Sequence, residues 1–325
     1  MVKTSDTYHR HIDYLRISVT DRCNLRCIYC MPSEGVKSLP HSEILRYEEI
    51  ASVAEAATAI GITKLRLTGG EPLVRLGLTD LVKMLSRIRG IDDIALTTNG
   101  ILLKRYASEL KEAGLKRVNI SLDSLRKDRY QRITRLGQLE DALEGIAFAK
   151  EIGLNPVKIN MVVIKDINDD EVTDFARFSI EKGWHVRFIE PMPFVDNTKL
   201  SFIPISEIME RLKALGDLEP YPSGNGSGPA RYFRFTGAIG TIGFISPISD
   251  CFCSSCNRLR LTVDGMLRPC LMNDYELDLK PILRNGGTLP DIKLSLLHAI
   301  KAKPERHKLA EGQFQKGRAM CQLGG

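Results

Sequence analysis

Three cysteines close to the start of the chain, Cys23, Cys27 and Cys30, stand in a CxxxCxxC run directly after an alternating apolar segment, DYLRISVT. That segment has the period of two of a β-strand, so one loop leaving a strand end delivers three thiolates to one place. A 4Fe-4S cube ordinarily takes four thiolates, and a loop with three points to a cluster whose remaining iron is open to a small molecule. A structural zinc ion, which wants four ligands, and three unrelated buried thiols are the alternatives on spacing alone. A second set repeats the pattern: Cys253 and Cys256 form a CxxC pair, and Cys270 follows 14 positions later. Asp264 and Gly265, between LRLTV and MLRPC, suit a tight hairpin turn that carries Cys270 back toward the pair. Here zinc competes more strongly, because CxxC plus one distant cysteine is half a zinc ribbon and Cys251 offers a fourth ligand.

The elements that must hold these loops are visible as a repeat. Apolar, β-rich segments recur around residues 13–20, 63–68, 93–98, 117–122, 156–164 and 185–190, separated by helical patterns such as RYEEIASVAEAATAIG and DLVKMLSRIRG. Six βα units imply right-handed crossovers and a parallel sheet, either doubly wound or an incomplete barrel, and periodicity does not decide between them. Ligands gather at the carboxyl ends of such strands. The unusual residues are expected on that rim: the cysteines after the first strand, Gly69, Gly70, Glu71 and Pro72 after the second, and Thr97, Thr98, Asn99 and Gly100 after the third. Ser121 and Asp123 end the fourth strand, Lys158 and Asn160 belong to the fifth, and Arg187 and Met192 to the sixth. Singly, each is ordinary turn chemistry; jointly they define one rim. Beyond residue 200 the rhythm gives way to a mixed region with short strands, YFRF and IGTIGFI, which divides the chain into residues 1–200 and 201–325.

Composition narrows the function classes. With 325 residues, 43% hydrophobic and 26% charged, the chain reads as a soluble globular protein with a large core, and no apolar run reaches the roughly 18 residues of a membrane span. The segment MVKTSDTYHRHIDYLRI lacks the pattern of a signal peptide, so a reducing, cytoplasmic setting is expected, in which eight cysteines ligate metal rather than pair as disulfides. A net charge of +6, dispersed along the chain, argues against a nucleic-acid partner and suits a small polyanion. The run GNGSGPA from Gly224 satisfies neither a P-loop nor GxGxxG and reads as a flexible surface loop. His9, His11, His41, His185, His298 and His307 form no ligand pattern, and each reads as packing or surface.

In its context TDRCNLRCIYC, the first cysteine run resembles the radical S-adenosylmethionine (SAM) enzymes. In that family the amino and carboxylate groups of SAM chelate the fourth iron, and one electron from the cluster cleaves SAM to methionine and a 5′-deoxyadenosyl radical. The resemblance implies a (βα)6 incomplete TIM-like barrel, α/β in class, with a carboxyl-terminal α+β extension covering its lateral opening. It further implies that Tyr29, the aromatic before the last cysteine, belongs to the SAM site, that the glycine motif with Gly70 and Glu71 meets the SAM amino group, that Thr97, Ser121 and Lys158 hold the SAM carboxylate and ribose, and that Met192 meets the adenine.

The second motif, CSSCNRLRLTVDGMLRPCL, resembles the GTP 3′,8-cyclase family of molybdenum cofactor biosynthesis. YLRISVTDRCN, ITKLRLTGGEPLVR, RFIEPMP, KPERH and the Gly-Gly ending agree with it. This implies a second 4Fe-4S cluster on Cys253, Cys256 and Cys270, whose open iron meets the guanine of GTP, and a flexible tail that reaches the active site. It also implies a triphosphate receptor of Arg16, Lys64, Arg66, Arg187, Arg258 and Arg260, the guanidinium fork being matched to phosphate oxygens. Arg258 and Arg260 alternate on one strand and share a face. Cys251 and Cys321 fall where the family needs no thiol and read as incidental, with Cys251 the better competitor for metal and Cys321 placed in the tail, where a reactive thiol could matter. The partners implied are a reduced flavodoxin- or ferredoxin-type donor and a downstream cyclic pyranopterin monophosphate synthase, with a homodimer allowed and no nucleic-acid or membrane partner. Two alternatives stay open: a radical SAM enzyme that modifies a peptide with an auxiliary cluster, and a non-catalytic metal-binding redox sensor.

Overall fold

The computed structural model describes residues 4–194, 200–222, 228–311 and 317–324. Strands β1 (Tyr14–Ser18), β2 (Lys64–Thr68), β3 (Asp93–Thr98), β4 (Arg117–Ser121), β5 (Lys158–Val162) and β6 (His185–Ile189) each pair in parallel with the next. Between them run α1 (Tyr47–Thr58), α2 (Leu78–Ser86), α3 (Leu103–Ala113), α4 (Lys127–Thr134), α5 (Leu139–Glu151) and α6 (Val172–Glu181). A doubly wound sheet needs a reversal of strand order, whereas here the six strands follow one another in sequence. Right-handed crossovers then put every helix on one face, and the sheet curls into an open barrel.

The sequence encodes this curl by strict alternation. Leu15, Ile17, Leu65, Leu67, Leu96, Val118, Ile120, Ile159, Met161, Val186 and Phe188 form one phase of the strands and are buried in the main core. Each contributes about 1.5–3 kcal/mol on burial. Parallel strands buried on both faces ordinarily read as continuous apolar runs. The opposite phase here is Tyr14, Arg16 and Ser18 on β1, Lys64, Arg66 and Thr68 on β2, Arg117, Asn119 and Ser121 on β4, and Lys158 and Asn160 on β5. A polar lumen follows directly from that pattern.

After residue 200 come α7 (Ile205–Leu212), β7 (Leu218–Pro220), β8 (Arg231–Phe235), β9 (Thr241–Ile245), β10 (Arg258–Leu261), β11 (Met266–Arg268), β12 (Leu277–Asp278), α8 (Lys280–Arg284), α9 (Leu289–Lys301) and α10 (Met320–Leu323). They do not form a separate sheet. β9 adds in parallel to β6 and β10 in parallel to β1, so both edges of the barrel are extended into one 12-stranded sheet. The hairpin expected at Asp264–Gly265 joins β10 to β11, with Arg260 opposite Arg268 and the Thr262 N–H donating to Met266 O at 2.9 Å. Lys303, just after α9, donates from Nζ to Arg258 O at 2.9 Å and Pro269 O at 2.7 Å, clamping both legs of that hairpin. Buried Glu49 of α1 accepts from Arg46 N at 2.7 Å and from Arg284 Nε at 3.0 Å, fastening α8 to the barrel. No helix among the described residues is long and apolar enough to cross a membrane.

Candidate active site

The first cysteine loop is sewn to the turn after β2 by backbone hydrogen bonds. Gly70 N donates to Thr20 O and Glu71 N to Arg22 O, both at 2.8 Å. A Cβ on Gly70 would lie 2.3 Å from Arg22 O, so only glycine permits this approach. The Glu71 carboxylate is buried and fully engaged: Oε1 accepts from Leu73 N at 3.0 Å and Thr98 Oγ1 at 2.7 Å, Oε2 from Asn99 N at 2.7 Å. Burial pushes its pKa up to about 7 against those three bonds. Tyr29 donates to Asp123 Oδ2 at 2.7 Å, and Asp123 Oδ1 accepts from Val162 N at 2.9 Å. Burial pushes Asp123 up to about 6. Glu190 is likewise taken up in structure, accepting from Ile248 N and Ser249 N at 3.1 Å each.

Both cysteine sets open onto one cavity of about 290 Å³. Its walls include Cys23, Cys27, Cys30, Tyr29, Gly70, Glu71, Thr97, Ser121 and Met192 on one side, and Cys253, Cys256, Cys270 and Arg258 on the other; Arg16, Arg66, Arg187 and Arg260 line it as well. Phe194, Met272, Met320 and Leu323 form an apolar plug that touches both Cys30 and Cys270.

Two expected residues are not on this wall. Lys64 donates from Nζ to Asp13 Oδ2 at 2.6 Å at the amino end of β2. Lys158 is the first residue of β5, so its expected place on the carboxyl rim is corrected: it sits near the amino end, with Nζ 3.3 Å from the Tyr232 hydroxyl. Burial, then the neighbouring charges of Arg187, Arg117 and Arg66, bring its pKa down to about 6. Arg16, Arg66 and Arg187 are also mid-strand rather than terminal. The reason is the polar phase of the strands, which extends the site down the barrel axis instead of confining it to the loops.

The lumen is strongly cationic. Arg260, Arg16 and Arg66 stand directly opposite one another on β10, β1 and β2, where neighbouring strands lie about 4.8 Å apart. Burial and the charge of Arg258 bring Arg260 down to about 9, and burial and Arg260 push Arg16 well below its usual value. Arg117 is ion-paired with Asp93, and Arg318 with Asp264. Guanidinium groups sealed together as Arg260, Arg16 and Arg66 are call for an anionic ligand.

The tail enters the same cavity. Arg16 and Arg260 both donate to Gly324 O, at 3.0 and 3.2 Å, and Arg318 holds Asp264 and Glu276. Cys321 is buried against Cys23 and hydrogen-bonded with Cys30, which corrects its reading as incidental. Gly325 and residues 224–227 of the glycine run lie outside the described residues, whereas Gly228 and Pro229 line the cavity.

The chemistry of the two thiol sets differs. Burial pushes Cys23 up to about 12 and Cys27 well above its usual value. Burial also raises Cys256, but the charges of Arg258 and Lys303 outweigh it and bring this thiol down to about 6. A tetrahedral zinc ion about 2.3 Å from each sulfur draws the sulfurs to within roughly 4 Å of one another. Among the described residues, the group of three ligating side chains with donor atoms all within 4.8 Å is Cys251, Cys253 and His307. That group brings Cys251 beside Cys253 of the second set, in keeping with Cys251 as the better competitor for metal. His307 is therefore not a lone packing histidine; it lines the cavity beside the second set.

Comparison with known proteins agrees with this geometry. The Radical SAM superfamily model matches residues 17–179, and the Molybdenum Cofactor Synthesis C model matches residues 184–309. A GTP 3′,8-cyclase from Pelotomaculum thermopropionicum is 55% identical over 324 residues, covering 98% of this chain and 99% of its own. The chain belongs to the GTP 3′,8-cyclase family. A GTP 3′,8-cyclase from Moorella thermoacetica is 50% identical, covering 98% of this chain and 99% of its own. Streptococcus suis SuiB bound to S-adenosylmethionine shares the fold at TM-score 0.62 and 15% identity, over 86% of this chain and 67% of that one. So does anSMEcpe with bound AdoMet, at TM-score 0.56 and 17% identity, over 96% of this chain and 88% of that one. The cyclase family's cofactors are two 4Fe-4S clusters and SAM.

Several cavity residues escaped the sequence reading: Tyr14, Asn119, Lys303, His307 and Phe252. For Tyr14 and Asn119 a signal existed, since they share the polar phase of β1 and β4 with Arg16 and Ser121.

Proposed function

We propose that the chain converts GTP to (8S)-3′,8-cyclo-7,8-dihydroguanosine 5′-triphosphate, the first step of molybdenum cofactor biosynthesis. The observation that carries this is one cavity lined by both three-cysteine sets and by a row of arginines. When bound, the first cluster supplies the electron for reductive cleavage of SAM, and the second offers an open iron to the base.

The residues take these roles. Cys23, Cys27 and Cys30 hold the first cluster; Cys253, Cys256 and Cys270 hold the second. Gly70, through its close-packed backbone, with Tyr29, Ser121 and Met192, receives SAM. Glu71 has both oxygens engaged and acts by fixing the turn after β2 to the end of β3. Arg16, Arg66, Arg187, Arg258 and Arg260 bind the triphosphate. Thr97 and Lys158 belong with them rather than with SAM, since Arg66 Nη1 donates to Thr97 Oγ1 at 3.4 Å and Lys158 faces Arg187 and Arg66. Lys64, committed to Asp13, stands outside the phosphate contacts.

The same reading divides the chain into a SAM-cleaving barrel, residues 1–200, and a substrate-side region, residues 201–325. It places the protein in the cytoplasm, allows a homodimer, and draws electrons from a flavodoxin- or ferredoxin-type donor. The product then passes to cyclic pyranopterin monophosphate synthase. Anaerobic turnover with GTP and SAM, followed by mass spectrometry of the nucleotide, tests the activity. Formation of 5′-deoxyadenosine with unaltered GTP would turn the reading toward a peptide substrate.

A further inference from the structure

Among the described residues, two amide oxygens in the barrel lumen have no donor. Asn119 Oδ1 and Asn160 Oδ1 are shut off from solvent with no hydrogen-bond partner among the described residues, and both side chains line the cavity. Asn119 as a whole is only 4% exposed. A sealed, unpaired carbonyl is a standing cost to the fold that a ligand donating to it removes.

Register fixes where these oxygens lie. Asn119 on β4 stands opposite Thr97 on one side and Lys158 on the other; Asn160 on β5 stands opposite Ser121 and Arg187. Side chains opposite one another on adjacent strands share a face, so Asn119 sits at the level of Lys158 and Asn160 at the level of Ser121 and Arg187. Lysine and arginine only donate hydrogen bonds. The amide carbonyls are thus acceptors set in a donor-rich surface. Phosphate oxygens match the guanidinium groups and can make no use of a carbonyl. In a nucleoside triphosphate the donors nearest the phosphates are the hydroxyls of the sugar.

We infer that Asn119 and Asn160 hold the ribose of the substrate nucleotide through its 2′ and 3′ hydroxyls, fixing which face of the sugar turns toward the first cysteine loop. The inference rests on the GTP reading and adds the groups that recognise a ribonucleotide. For Asn119 the SAM ribose is a poorer occupant, because this residue lies two positions below Ser121 on β4, level with Lys158; Asn160, opposite Ser121, is tied to the cation side by its pairing with Arg187.

The test is anaerobic calorimetry on the cluster-loaded protein with GTP, 2′-deoxy-GTP and 3′-deoxy-GTP. Wild type is expected to bind GTP about ten-fold or more tightly than at least one deoxy analogue, as sites built to bond a hydroxyl do. That ratio falls to near one in Asn119→Ala or Asn160→Ala. It returns in Asn119→Asp or Asn160→Asp, which keep an acceptor. Deuterium transfer from 3′-deuterated GTP into 5′-deoxyadenosine drops in the alanine variants, and unchanged iron content shows that they are folded. Equal binding of all three nucleotides by wild type overturns the inference without recourse to any variant. Alanine variants that keep the wild-type ratio overturn it as well, and weakened SAM binding with that ratio intact assigns the amides to the SAM ribose instead. Wild type that binds none of the nucleotides overturns the GTP reading and this inference together.

Discussion

Arg16 donates from Nη2 to the backbone carbonyl of Gly324 at 3.0 Å, joining the first strand of the barrel to the end of the chain. Arg260 donates to the same oxygen at 3.2 Å, so one tail carbonyl engages two neighbours in the arginine row. Nothing in the local sequence of either arginine announces this, and it makes the tail part of the lumen.

Gly324 has φ +73, and a Cβ there would fall 2.8 Å from Thr68 Cγ2 and 3.1 Å from Ser18 Cβ. A left-handed alanine costs roughly 1–2 kcal/mol, comparable with a pair of ordinary hydrogen bonds at about 0.5–1.5 kcal/mol each. Gly324→Ala should therefore expel the tail from the arginines. Cyclised nucleotide is expected to fall about ten-fold or more, with iron content and 5′-deoxyadenosine formation retained; a variant with wild-type product yield would show that the tail contact is dispensable.

The two cysteine sets should fail differently. Cys27→Ser is expected to abolish 5′-deoxyadenosine formation under dithionite, while Cys256→Ser keeps SAM cleavage and loses the cyclised product. Iron and sulfide analysis should fall from about eight irons per chain to about four in either variant. Deoxyadenosine from Cys27→Ser would remove the first set from SAM cleavage.

How much of this was legible depends on the range of the interactions. The six barrel strands and the 258–268 hairpin were readable because each is set locally, by alternation such as Tyr14-Leu15-Arg16-Ile17 and by the Asp264–Gly265 turn. The pairing of β10 with β1 was not, since Arg258 and Tyr14 come from opposite ends of the chain and no local pattern links them. Lys158 is not legible as a floor residue because the polar phase of β5 runs the length of the strand, and a cation there reads as part of the rim until the ladder is seen to begin at it. Cys321 was unreadable because its place beside Cys30 follows from distant anchors, Arg318 on Asp264 and Gly324 on Arg16.

Arg258 has its guanidinium carbon 4.9 Å from the Phe252 ring centroid and is the largest favourable charge on the Cys256 thiolate. Arg258→Ala removes a phosphate donor and that charge together. Product should disappear while uncoupled SAM cleavage persists, read as 5′-deoxyadenosine formed without consumption of GTP. Arg258→Lys keeps the charge but not the planar fork and should recover only part of the product; full recovery would mean that charge alone matters.

Lys158 gives the pH dependence. Its pKa, ordinarily near 10.4, is brought down to about 6, first by burial and then by Arg187, Arg117 and Arg66. In the ligand-free protein the unfolded chain therefore binds the proton first, so this group withdraws stability as pH falls from about 10 toward 6 and adds no further loss below that. A bound triphosphate reverses the balance by favouring the ammonium form, so nucleotide binding above pH 6 must take up a proton, and affinity must weaken as pH rises. At about pH 8 the γ-phosphate, whose own pKa is near 6 by analogy with phosphate monoesters, is already ionised and does not mask the effect. Calorimetry of GTP binding in two buffers of different ionisation enthalpy should then register uptake approaching one proton per site. Lys158→Met should abolish that uptake with the clusters intact, and equal heats in the two buffers for wild type would remove Lys158 from the phosphate site.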